Sequence, residues 1–140
     1  MPVAHFHLID GTFTIDQRRR LLTEASHCYA QVLDSPLDRV RTFVVPHTPD
    51  DAATAGVLIS GGGDPAPYFT AIVLAGRSLE QRQRLASRFT DLLVDILEVP
   101  RSVVRGQIVE VDPNNWFIGG VAAAAMRAEE IAARTDSTSA

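Results

Sequence analysis

The second residue of the chain is Pro2, and it opens a strand-like run, Pro2-Val3-Ala4-His5-Phe6-His7-Leu8-Ile9. A small residue after Met1 favours removal of the methionine, which would leave a secondary amine at the start of the chain. The α-amino group titrates closer to neutrality than any side chain except histidine, and nearby cations or burial lower it further. Such an amine is suited to moving protons as a general base. His5 and His7 share a strand face, but no third ligand accompanies them, so no metal is expected. All 13 basic residues are arginine, which excludes a lysine Schiff base, a pyridoxal phosphate anchor and a Walker-type phosphate loop. No cofactor is implied.

These residues have to be positioned by one domain of 140 residues with a 46% apolar composition. The single Cys28 excludes an internal disulfide and reads as a buried thiol in a reducing cytoplasm. A net charge of −4, with no basic run longer than Arg18-Arg19-Arg20, argues against nucleic acid. There is no membrane-length apolar stretch and no signal-peptide pattern, so a soluble cytoplasmic protein is expected.

The chain repeats itself. A shift of 64 places aligns Ile15–Leu21 with Leu79–Leu85, and carries Leu33, Pro36, Val40, Arg41 and Val45 onto Leu97, Pro100, Val104, Arg105 and Val109. With one residue of slippage Pro2 and Gly11 fall on Pro67 and Gly76. Thr14 and Ser78 stand three residues before Gln17 and Gln81, the capping-box spacing, so each copy predicts a helix at the same place. Apolar residues follow at helical spacing: Leu22, Ala25, Tyr29, Val32 and Leu33, then Leu85, Phe89, Leu92, Ile96 and Leu97. Pro36 and Pro100 close the helices, and Val40–Val45 and Val103–Val111 read as β-branched strands.

The expected fold class is α/β (α+β): duplicated β-α-β units forming a four-stranded sheet with two helices on one face. The repeats span 2–46 and 67–111, with 47–66 as a Gly- and Asp-rich linker and an alanine-rich helix at about 121–133; Thr135–Ala140 is expected to fray. Because no helices are encoded for the second face of the sheet, a homo-oligomer is expected to cover it.

Leu8-Ile9-Asp10-Gly11 after the first strand, Leu33-Asp34-Ser35-Pro36-Leu37 with Val40-Arg41, and Phe117-Ile118-Gly119-Gly120 resemble the tautomerase superfamily. Each half is similar to the short 4-oxalocrotonate tautomerase subunit, and the whole to a fused, double-length member, over residues 2 to about 125. The resemblance implies a cofactor-independent tautomerase (isomerase) acting on a small carboxylate substrate, a 2-oxo or 2-hydroxydienoate acid. It also implies a trimer of double-length chains.

Carried over by position, the family's proline is Pro2, while Pro67 lies inside the chain as a tertiary amide and cannot be a base. The arginine after the first strand is Arg77, where the first copy has Thr12. The second-strand arginine is matched by both Arg41 and Arg105, one of which would reach the site across a subunit boundary. Trp116 would supply an apolar wall. The resemblance extends to malonate semialdehyde decarboxylase through Asp38, and to cis-3-chloroacrylic acid dehalogenase through Gly76-Arg77-Ser78 and His27. Ile118 stands where the dehalogenases need an acid, which argues against dehalogenation. Decarboxylation or hydration of a 3-oxo acid is the alternative reading, and a non-catalytic, cytokine-like or structural oligomer a second. Each residue also has a plain structural explanation: a solvated or interface arginine for Arg77, Arg41 and Arg105, a turn aspartate for Asp38, packing for His27 and an anchor for Trp116.

Overall fold

Thr14 and Ser78 cap their helices as the spacing predicts. Each hydroxyl accepts from the backbone N–H of the glutamine three residues on, and each glutamine side chain accepts from the cap's own N–H. The helices they start are α1 (Ile15–Leu33) and α2 (Leu79–Leu97), preceded by β1 (Val3–Ile9) and β5 (Tyr68–Leu74) and followed by β2 (Arg41–His47) and β6 (Arg105–Val111). Between the copies lie β3 (Ala53–Thr54) and β4 (Val57–Leu58). After β6 come β7 (Phe117–Ile118), β8 (Val121–Ala122), α3 (Ala123–Met126) and α4 (Ala128–Ser139). The computed structural model describes residues 2–139.

The main sheet runs β2-β1-β5-β6, with β1 parallel to β2, β5 parallel to β6, and β1 antiparallel to β5 at the centre. Alternation along β1 and β5 sends Ala4, Phe6, Leu8, Phe69, Ala71 and Val73 toward the helices. There Phe89 is the hub: its ring centre lies 5.3 Å from Phe6, 5.6 Å from Phe69 and 5.2 Å from Tyr29, the last two edge-on. The helical faces are rotated from the expectation. Leu21 and Leu93 are buried in place of Leu22 and Leu92, which lie half-buried at the edge of the stripe. Cys28 is buried in this core, and burial pushes its thiol pKa up.

The helices are also tied to each other at their ends. Gln17 Nε2 donates to the Ile96 carbonyl at 2.9 Å, and Gln81 Nε2 reciprocally to the Val32 carbonyl at 3.4 Å. Among the described residues, no helix layer covers the opposite face of the sheet. It presents His5 stacked on Phe43, and His7 hydrogen-bonded to His47 at 2.8 Å. Phe43 is 48% exposed there.

Two expectations change. The segment 47–66 is not a plain linker: β3 and β4 pair as a hairpin around Ala55-Gly56, just as β7 and β8 pair around Gly119-Gly120. All four turn residues have positive φ, the backbone that a two-residue hairpin turn requires. Each copy therefore runs on through its hairpin, at the same spacing of 64. The expected helix at 121–133 loses its first two residues to β8 and breaks at Arg127 (φ −120°, ψ 22°), because the Gly-Gly turn folds Val121-Ala122 back onto Phe117-Ile118. Beyond the break α4 continues to Ser139 where fraying was expected, and Ala140 lies outside the described residues. No helix among the described residues is long and apolar enough to cross a membrane.

Candidate active site

One end of the sheet collects most of the candidate residues. Val3 pairs with Arg41, and the Arg41 N–H donates to the Pro2 carbonyl at 2.9 Å, so the starts of β1 and β2 lie side by side. Because β5 is antiparallel to β1, its C-terminal end and the Gly76-Arg77-Ser78 turn arrive at this same end. So does the end of β6, whose Asp112 side chain accepts from the Asn114 N–H and turns the chain toward Trp116. The Pro2 ring itself is less than 2% exposed.

At the start of β1 is an open cavity of about 520 Å³, whose walls include Val3, Asp38, Arg39, Arg41, Trp116, Ile118 and Arg127; it is Val3, and not the buried Pro2, that reaches its wall. Three of the sequence-nominated residues, Asp38, Arg41 and Trp116, meet here. Arg41 is exposed, and its Nη1 donates to the carbonyls of Asp38 and Val40 at 3.1 and 3.3 Å. Arg39 makes a two-pronged ion pair with Glu130 of α4, both arms 2.9 Å. That pair raises the Arg39 pKa and lowers that of Glu130. The wall is thus cationic on one side and aromatic on the other, a combination that binds small organic anions.

Arg77 is at this end but outside that cavity. It lines a neighbouring hollow of about 370 Å³ with Asp34, Ser78, Gln81 and Arg134, and donates to the Leu33 carbonyl at the end of α1. There it satisfies a helix-terminal acceptor and faces the negative end of the dipole. Burial first, then the field of Arg134, bring its pKa down to about 10. At neutral pH the guanidinium keeps its charge. Between the two spaces is a third, about 250 Å³, walled by Pro36, Arg39, Glu130 and Arg134. The rim from Arg41 to Arg77 is therefore continuous, with α4 laid across its middle.

Two nominated residues are not brought into this group. His27 is exposed on α1, beside Leu37, Val40 and Thr42 on the outer side of the helix. Arg105 stands at the opposite end of the sheet, where its N–H donates to the Pro67 carbonyl at 3.2 Å and its Nη1 to the carbonyls of Ser102 and Val104. It repeats the pose of Arg41 beside the wrong proline. Sequence reasoning also passed over Arg39, Arg127 and Glu130. The signal was available for two of them: at the repeat spacing Arg39 corresponds to Val103 and Arg127 to Gly63, differences that mark the Pro2 end of the sheet. His5 and His7 lie on the open sheet face, and among the described residues no three metal-ligating side chains gather.

A model of the tautomerase enzyme family matches residues 67–126, the second copy from β5 through α3. The 2-hydroxymuconate tautomerase of Comamonas testosteroni is 37% identical over 57 residues, which is 41% of this chain and 90% of that protein. Among solved structures, native fused 4-OT superposes with a TM-score of 0.84 at 21% identity, covering 89% of this chain and 98% of that one. A fused 4-OT described as an asymmetric trimer gives 0.81 at 21% identity with the same coverages. The structural matches establish a shared fold, and the sequence match extends over nearly the whole of a short relative. The chain belongs to the tautomerase family of isomerase enzymes, as a double-length member with two β-α-β copies in one polypeptide.

Proposed function

We propose that this protein catalyses keto–enol proton transfer on a small 2-oxo or 2-hydroxydienoate carboxylic acid, with Pro2 as general base after removal of Met1. The observation that carries this reading is the cavity of about 520 Å³ lined by Val3, Arg41 and Trp116, one residue from Pro2, whose carbonyl accepts from the Arg41 N–H. With Met1 attached, the Pro2 nitrogen is an amide and has no basic lone pair. Once freed, it would lie at a site where guanidinium charge and an apolar wall both disfavour protonation, and each unit of pKa depression corresponds to roughly 1.4 kcal/mol.

In the reaction the substrate carboxylate pairs with Arg41; Arg77 would steady charge on the enolate oxygen only by leaving the Leu33 carbonyl and crossing the space walled by Arg39 and Glu130. The Pro2 amine takes the enol O–H proton, the electron pair moves through the carbon chain, and the resulting ammonium returns the proton to carbon. No redox partner is needed, and the amine is regenerated. Tautomerisation follows from a base and an anion clamp alone.

The neighbouring fused 4-OT described as a trimer supports the same assembly here, as does the uncovered sheet face bearing Phe43, His5 and His7. A light-scattering mass of one chain would overturn it. A second reading is favoured by Asp38, which lines the same cavity as Arg41 and could activate water for hydration or decarboxylation of a 3-oxo acid. The deciding experiment is ultraviolet-monitored ketonisation of phenylenolpyruvate and 2-hydroxymuconate by the untagged protein, with intact mass reporting loss of Met1. Rates far above buffer that collapse in Pro2→Ala support tautomerisation. No activity in a protein shown to lack Met1, with carbon dioxide release from malonate semialdehyde that Asp38→Asn abolishes, would give the second reading instead.

A further inference from the structure

We propose that Glu130 is a specificity-determining residue: its carboxylate takes the place of a second substrate carboxylate, so the Arg41 cavity accepts acids with one carboxylate and disfavours those with two. The proposal rests on the substrate-binding role of that cavity. Glu130 sits on α4, beyond the stretch matched by the tautomerase family model, which ends at residue 126. It acts on the cavity through Arg39, which lines both the cavity and the adjoining space of about 250 Å³ where Glu130 stands.

Nη1 and Nη2 of Arg39 both donate to Glu130, each at 2.9 Å, and so fill the two-pronged seat that a carboxylate ligand would otherwise take. Arg134 Nη2 adds a contact to the same carboxylate at 3.6 Å. The Arg39 hydrogen bonds outweigh burial, and with the charges of Arg39, Arg127 and Arg134 they hold the Glu130 carboxyl below the usual carboxylate range. Glu130 is therefore an anion at neutral pH.

The charges along the rim decide what it can hold. Around the cavity stand Arg39, Arg41 and Arg127 with one acid, Asp38. Glu130 neutralises Arg39 and Asp38 offsets a second arginine, so three cations less two anions leave one positive charge, enough for one carboxylate. Further along, the adjoining space sets Arg39 and Arg134 against Asp34 and Glu130, and no positive charge is left over. A second carboxylate extending from Arg41 toward Arg77 would meet the Glu130 anion on a guanidinium already filled, a penalty aimed at that class of ligand. An acid with one carboxylate and an apolar far end avoids the penalty and can lay that end against Trp116.

The test compares muconate and sorbate, dienes of the same chain length with two carboxylates and one. Calorimetry of the wild-type protein should show muconate binding no tighter than sorbate. Glu130→Gln keeps the shape, removes the charge and releases the Arg39 seat, so muconate should bind about 5- to 20-fold tighter relative to sorbate, an effect tempered by the partial exposure of the pair. In ketonisation, kcat/KM for 2-hydroxymuconate should rise over that for phenylenolpyruvate by a similar factor, mainly through KM. The double variant Arg39→Gln/Glu130→Gln should lose most of the gain, which separates release of Arg39 from loosening of α4. Muconate binding about tenfold tighter than sorbate in the wild type, an unchanged ratio in Glu130→Gln, or a gain that survives in full in the double variant would each overturn the role of Glu130. Failure of Pro2→Ala to slow ketonisation would instead remove the proton-transfer chemistry and leave the binding ratio to decide for Glu130.

Discussion

The two ends of the sheet share a frame and differ in nearly every residue that could do chemistry. At each end a proline carbonyl accepts from an arginine N–H, at 2.9 Å for Pro2 and Arg41 and 3.2 Å for Pro67 and Arg105. Each of those arginines turns its Nη1 back onto two carbonyls of its own turn. Yet Asp38, Arg39, Trp116 and Arg127 at the Pro2 end face Ser102, Val103, Ala52 and Gly63 at the other, and Arg77 faces Thr12. The hollow of about 370 Å³ beside Arg77 shrinks to about 180 Å³ beside Thr12, where Pro67, Leu97 and Glu98 close in. Backbone pose is therefore no guide to activity in this fold. Side chains hung on the frame decide which end can bind an anion.

The comparison can be broken most severely at the prolines. Pro2→Ala should lower ketonisation by roughly 10²- to 10⁴-fold, the range for removing a positioned base, and Pro67→Ala should leave it near wild type; equal losses in a rate assay would end the asymmetry. A stability difference comes next. Gly106 lies under Phe69, and a Cβ there would sit 2.1 Å from the ring, whereas its counterpart Thr42 carries a side chain comfortably bonded to the Leu22 carbonyl. Gly106→Ala should cost about 1–3 kcal/mol through overpacking, read as a lowered denaturation midpoint. For the arginines, Arg41→Ala should raise KM for a carboxylate substrate about tenfold and Arg105→Ala should have a much smaller effect; the reverse order would mean that Arg105 serves the site from a neighbouring subunit.

The smallest effect concerns His7, whose counterpart is Ile72. Burial, then His47, then His5 lower its pKa from the ordinary 6.5, and Tyr68 packs on its other side without adding charge. The unfolded chain therefore binds the proton first as pH falls. Stability is full above about pH 6.5 and declines below it, toward the lower folded pKa. His7→Ile should flatten that decline in melting temperature between pH 7 and 5, and an unchanged slope would show that His7 contributes nothing to it.

What the sequence revealed of this molecule was its locally encoded part. The Thr14 and Ser78 caps, the helices and the four main strands depend on residues a few places apart, and these matched. The β3–β4 hairpin was hidden because Gly, Asp and Ala in 47–66 read as linker composition, although Ala55-Gly56 holds the same turn as Gly119-Gly120. Arg77 looked like a site residue from its turn, but it reaches the end of α1 only through the tertiary pairing of the two helices. Arg127 and Glu130 belong to a tail whose position is set by a break in the helix and by Arg39, contacts that no periodicity reports.

The reciprocal bonds from Gln17 to Ile96 and from Gln81 to Val32 mean that each copy finishes the other's helix. Were the copies separate polypeptides, every change would enter all of them, and the pair would part on dilution. Covalent joining keeps each half permanently beside its complement at millimolar effective concentration or above. It also gives each half its own stretch of gene. The first copy carries Thr12 and Ala52 where the second has Arg77 and Trp116, and the second carries Ser102 where the first has Asp38, while each remains an obligate structural mate, so the chain is a heterodimer that its own backbone assembles.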